Sequence, residues 1–187
     1  MTHSSYSVHP TYSVHPTPLG DALVVTTAEG LAFLDVLDVS VGSRERALEE
    51  IGLLLRDVPT PDADDPSPVA AAVTGQLDEY FAGDRRAFDV PLDLRTVDGF
   101  VRRALEAIGE IPYGETASYG EVAIMAGSPG AHRAAGSACA RTPISIVVPV
   151  HRVVRSDGSV GEYGGHPERK RHLLDLEASV IRNSAAV

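Results

Sequence analysis

The hexapeptide Pro149-Val150-His151-Arg152-Val153-Val154 sets a titratable base and a fixed cation side by side behind an apolar run. Histidine exchanges its proton near neutral pH, and arginine keeps its charge. Together they suit proton handling or the recognition of a polar ligand. A nucleophile would complete a catalytic set, and the one thiol in the chain, Cys139, stands on a separate segment. From the hexapeptide alone a solvated loop start remains the plainer alternative.

These residues need elements to hold them. The run Ile144-Ser-Ile-Val-Val-Pro149 is apolar and β-branched, which predicts a buried strand ending at the proline. His151 and Arg152 should then emerge at the rim of a packed core. Upstream, Asp98 to Ile111 predicts an amphipathic helix, with Phe100, Val101, Leu105 and Ile108 inward. Ser118 with Glu121 three residues later is a capping box opening a helix from Tyr119 to Ala126. Gly127 to Gly130 breaks it, and a third helix from Ala131 to about Arg141 completes a helix-turn-helix-like pair. This third helix is lined with alanine, glycine and serine, so a neighbouring helix or an external partner can come close to its backbone.

The first half reads as a small α/β unit. Asp21 to Thr27 and Leu31 to Leu37 flank a Glu29-Gly30 turn and predict a hairpin. A helix follows from about Ser43, with Ala47, Ile51 and Leu54 on one stripe. Asp57 to Pro68 should be an exposed loop, and Val69 to Phe81 a second helix stopped by Gly83. Tyr6-Ser-Val-His-Pro-Thr11 is repeated at once as Tyr12 to Thr17. With its prolines and no fixed scaffold, the repeat predicts a disordered tail over residues 1–18 rather than a metal site built on His3, His9 and His15. The expected domains are 19–94 and 95–187.

With 187 residues the chain can bury a substantial core. One cysteine forbids an intramolecular disulfide and suits a reducing cytoplasm. No segment reaches the ~18 apolar residues of a membrane span. The histidines and the single cysteine show no metal-ligand spacing, and nothing implies a cofactor. The net charge is −10, unevenly spread: residues 1–93 carry 16 acidic and 5 basic side chains, residues 94–187 carry 10 and 11. A nucleic acid is tolerable only on the second half, where Arg133, Arg141, Arg152, Arg155, Arg169, Lys170 and Arg171 lie. Few phosphate contacts and salt-sensitive binding should follow.

Taken in order, Ile111-Pro-Tyr-Gly-Glu-Thr-Ala-Ser-Tyr-Gly120, Gly130-Ala-His-Arg-Ala-Ala-Gly136, Thr142-Pro143, Pro149 to Val154, Gly161-Glu-Tyr-Gly-Gly165, Lys170, Leu173-Leu174 and Glu177 resemble the O6-alkylguanine-DNA alkyltransferase family. Those enzymes move an alkyl group from a damaged base onto their own cysteine. The resemblance covers roughly residues 95 to 177 with specific motifs and the first half weakly. It implies a ribonuclease H-like α/β domain, then a mostly helical, winged helix-turn-helix-like DNA-binding domain. It also implies a monomer that works on duplex DNA containing alkylated guanine, with the base flipped out of the stack.

Residue by residue, the resemblance makes Arg133 the side chain that fills the place of the extruded base. Ala134 and Gly136 then lie on the helix in the minor groove. Tyr119 helps rotate the nucleotide, and Tyr163 with Gly164 forms the wall of the base pocket. Arg152 joins the DNA-facing set. His151 and Glu177 match the pair that draws the proton from the acceptor cysteine through a water. Two positions depart from the pattern: Val150 occupies the acceptor position, and Thr142 replaces an asparagine that braces the preceding turn.

An isopropyl group has no lone pair and no acidic proton, so alkyl transfer at position 150 is chemically excluded. The departure resembles a branch of the family, the alkyltransferase-like proteins, which bind alkylated guanine without repairing it and present it to excision repair. Three readings within the family follow. One is a non-catalytic lesion-recognition protein. Another is a methyltransferase with a displaced acceptor such as Cys139, and the third a degenerate helix-turn-helix regulator.

Overall fold

The computed structural model describes residues 9–62 and 66–185. It begins with a three-stranded antiparallel meander: β1 (Thr11–Thr17), β2 (Gly20–Thr27) and β3 (Gly30–Val36). The expected disordered tail is therefore corrected from Thr11 onward. Thr11 and the whole second copy of the repeat are strand, paired with β2 from Thr11↔Thr26 to Thr17↔Gly20. Its proline misled because β1 is covered on its other side only at Thr11 and Tyr12, by the short parallel strand β4 (Thr60–Pro61). Pro16 thus lies on an open edge, where a missing N–H costs little. Residues 1–8, with the first half of the first copy (Tyr6 to Val8), lie outside the described residues. So do residues 63–65 of the expected loop.

Helix α1 (Ser43–Leu55) covers one face of this sheet and α2 (Pro68–Ala82) the other. On α1 the inward stripe is Ala47, Leu48, Ile51 and Leu55 against Leu23, Val25 and Phe33. Leu54, expected inward, is 61% exposed, because it lies one position off that stripe. Helix α2 turns Val73, Leu77 and Tyr80 into the main core.

The second domain is mostly helical: α3 (Gly99–Gly109), α4 (Tyr119–Met125), α5 (His132–Ala140) and α6 (Pro167–Ala185), with a two-residue parallel ladder between β5 (Ala117–Ser118) and β6 (Val153–Val154). The capping box of α4 is present in both directions: Ser118 Oγ accepts from Glu121 N at 3.2 Å, and Glu121 Oε2 accepts from Ser118 N at 2.6 Å. On α5, Ala135 and Ala138 are fully buried, so the small residues let α3 and α4 pack close. The helical calls of composition and period hold because each helix has one apolar face and one solvated one. Among the described residues no helix is long and apolar enough to cross a membrane.

The two domains share a strand edge. Leu31 exchanges backbone hydrogen bonds with Pro91 and Asp93, and Leu34 with Pro143 and Ser145, at 2.7 to 2.9 Å. The free side of β3 is thus taken by the interdomain segment and by the stretch leading to position 150. One apolar core then runs through both domains, from Leu34 and Tyr80 to Leu105, Ile144, Val150 and Leu173.

The expected buried strand over Ile144 to Pro149 is not formed. Ile144 pairs with Leu34, and the chain then folds back so that Ser145 bridges Val148. Ile146 takes a left-handed backbone, φ 69°, rare for a β-branched residue. A 3-10 turn, Val150–Arg152, follows before β6. His151 and Arg152 do not emerge at a rim: their exposures are 0% and 7%.

Candidate functional site

The 3-10 turn sends three consecutive side chains into the core, and the face of α6 that carries Leu173 meets them with Glu177. His151 Nε2–H donates to Glu177 Oε1 at 2.9 Å. Tyr80 from α2 donates its hydroxyl to the same oxygen at 2.7 Å. Arg152 donates to both carboxylate oxygens at 2.9 to 3.2 Å, and the Gly114 amide donates to Oε2 at 2.9 Å. Gly114 has φ 79°, and a β-carbon there would stand 2.8 Å from the Ile181 side chain, so the Tyr113-Gly114 step admits no larger residue without a shift.

Burial alone would raise the Glu177 carboxyl. The hydrogen bonds from His151 and Arg152, with the Arg152 charge, outweigh it and pull it down to about 2. Burial holds His151 below the usual histidine range, against the raising pull of Glu177. The histidine is therefore kept neutral with its proton on Nε2. Its Nδ1 is buried without a hydrogen-bond partner among the described residues, so the lone pair of a base is retained. Tyr80, wrapped by Phe81, Phe88 and Tyr113 and facing Glu177, is pushed far above the ordinary tyrosine range by burial and by that charge.

A cavity of about 280 Å³ is lined by Val150, the neighbour of His151 in the chain, together with Tyr119, Gly136, Cys139, Tyr163 and Gly164. Position 161 is glycine because a β-carbon there would stand 2.7 Å from the Tyr119 hydroxyl; the tyrosine ring occupies that space. Lys170, fully buried, donates to the Val153 carbonyl and lies 5.9 Å from the Tyr119 ring. Burial pushes the Cys139 thiol up to about 11. It lines the cavity as a protonated, poorly nucleophilic group. Thr142 does brace the turn before position 150: its Oγ1 accepts from Ile144 N at 3.3 Å.

The structure therefore gathers Val150, Tyr119, Gly136, Tyr163 and Gly164 around one void, and pairs His151 with Glu177 in the core next to Val150 in the chain. Arg133 and Ala134 lie on the exposed side of α5. The expectation that Arg152 faces DNA is corrected. Its guanidinium is committed to Glu177 and to the Ile111 carbonyl, 2.7 Å away, and stacks over Tyr113 at 5.5 Å. The cationic cluster shrinks further, since Lys170 is internal and Arg169 donates to the Val36 and Leu37 carbonyls. Tyr80 was not legible as a site residue. On α2 it reads as one more member of an apolar stripe, and its hydroxyl finds Glu177 only through the tertiary fold.

Two family models match the chain: the 6-O-methylguanine DNA methyltransferase ribonuclease-like domain over residues 11–94, and the DNA-binding domain of the same family over residues 99–179. The methylated-DNA–protein-cysteine methyltransferase of Mycobacterium tuberculosis is 52% identical over 115 residues, which are 62% of this chain and 68% of that protein. The crystal structure of the M. tuberculosis O6-methylguanine methyltransferase superposes with a TM-score of 0.73 at 39% identity, covering 91% of this chain and 93% of that one. The M. tuberculosis protein in complex with DNA gives 0.73 at 38% identity, covering 92% and 94%. With both of its domains matched and a relative this similar, the chain belongs to the 6-O-methylguanine DNA methyltransferase family.

Proposed function

We propose that this protein binds duplex DNA at alkylated guanine, draws the base into the cavity between Tyr119 and Tyr163, and holds it there without accepting the alkyl group. One observation carries the reading: the side chain at position 150, on the cavity wall, is a buried valine, while the His151–Glu177 pair beside it is intact. Transfer requires a sulfur lone pair to attack the alkyl carbon while a base takes the thiol proton. Here the base remains, and the group it would deprotonate does not. Extruding a base costs a few kcal/mol, less for one already damaged, and an arginine inserted into the stack offsets part of that cost. In this reading that arginine is Arg133, exposed at the start of α5. Bound protein then marks the lesion for excision repair.

A second reading is favoured by one feature, the position of Cys139 on the wall of the same cavity. In that reading the alkyl group passes to Cys139. Burial of the thiol argues against it, since the neutral form attacks poorly. Chromatography of the protein mixed with an O6-methylguanine duplex, followed by intact-mass measurement, separates the two. Co-elution with unchanged mass is the expected result. One added methyl group, absent from a Cys139→Ser variant, would replace the first reading by the second.

A further inference from the structure

The cavity extends beyond the residues that would grip a base, into the first domain. On β2 and β3, the face turned toward α1 is apolar at Leu23, Val25 and Phe33. Asp35, opposite Leu23 in the ladder, interrupts it with a carboxyl group. One carboxyl oxygen accepts from the Val36 amide at 2.9 Å. Asp35, Ser145 and Tyr163 line the same void as Val150, and the Ser145 side chain lies near enough to the other two to draw both acidic groups down against their burial. Arg169 does not neutralise this carboxyl directly, because its guanidinium is hydrogen-bonded to the carbonyls of Val36 and Leu37. Burial pushes the Asp35 carboxyl above the usual range, outweighing the lowering from Val36, Ser145 and Arg169.

A carboxyl on an apolar strand face is costly unless polar partners compensate. Here the partners are a hydroxyl and a phenol arranged around open space. We infer that Asp35, Ser145 and Tyr163 form a polar compartment of the lesion cavity that receives an O6-alkyl chain ending in a hydroxyl group. This inference rests on the lesion-binding reading. A substituent directed at position 150 opens onto the same void as Asp35. A terminal hydroxyl donates to a carboxylate and accepts from a carboxylic acid, so it is matched in either protonation state. A terminal methyl satisfies neither and leaves the carboxyl desolvated.

The test is a fluorescence-anisotropy competition with the full chain and four duplexes that differ at one guanine: unmodified, O6-methyl, O6-propyl and O6-(2-hydroxyethyl). Propyl and hydroxyethyl are nearly isosteric, so their ratio isolates the polar contact. Hydroxyethyl should bind at least about fivefold tighter than propyl, and Asp35→Leu should erase that ratio while keeping the preference for methyl over unmodified. Should Asp35→Leu fail to fold, Ser145→Ala reads the same ratio. Equal binding of propyl and hydroxyethyl, both above unmodified, overturns the compartment and leaves lesion binding standing. Equal binding of all four overturns both.

Discussion

At position 150, which the resemblance gives to the acceptor, the residue is valine, and the groups that would serve an acceptor there are in place. His151 keeps its proton on the Glu177 side, and Thr142 still holds the turn. Val150→Cys is therefore expected to gain one methyl group from an O6-methylguanine duplex, read by intact mass. A folded Val150→Cys protein that stays unmodified would show that the network no longer serves a thiol. The same network sets the acid sensitivity of the fold. His151 and Glu177 both have folded-state values below their unfolded ones. Each contributes stability above its unfolded pKa, near 6.5 and 4.3, which is lost as pH falls. Thermal melts should weaken first below about pH 6 and again from about pH 4 toward 2. Arg152→Met strips the buried carboxylate of its cation and should cost about 3–5 kcal/mol in chemical denaturation. A loss under about 1 kcal/mol would show that Tyr80, His151 and Gly114 suffice.

Among the elements, those with a local signal were legible and those made by distant partners were not. Helices α3 and α4 and the β2–β3 hairpin follow from period, cap and turn residues carried within each segment. The Ile144 to Val154 run has the composition of a strand. Its shape is set by the edge of β3, which takes Ile144 and Ser145, and by the left-handed Ile146. No local pattern announces either. The site divides the same way: Tyr119, Tyr163, His151 and Glu177 were placed by motif resemblance, whereas Tyr80 and Asp35 sit in periodic stretches that look purely structural. Helix α5 makes its own prediction. Arg133 is exposed and outside the core, so Arg133→Ala should leave the melting temperature unchanged within error. It should weaken binding to an O6-methylguanine duplex by at most about 3 kcal/mol. No change in affinity would contradict a role in base extrusion.

For the whole molecule, the decisive property is how little positive charge the cluster expected to face DNA presents. The chain carries −10 overall, and of the seven cations grouped in the second half, Arg152 and Lys170 are buried and Arg169 is tied to backbone carbonyls. Arg133, Arg141, Arg155 and Arg171 remain exposed. Four phosphate contacts give a slope of log affinity against log salt of about −4. A slope steeper than about −6 would require a binding face other than the α4–α5 side. Modest electrostatic attraction also means that a preference for damaged DNA has to come from the cavity.

That preference is the measurement that bears most directly on the account: a binding competition at fixed salt between a duplex carrying one O6-methylguanine and the same duplex unmodified. The protein with Val150 in place is expected to favour the lesion by tenfold or more, about 1.4 kcal/mol. Equal affinity for the two duplexes would contradict it and leave a helix-turn-helix protein whose base cavity reads nothing.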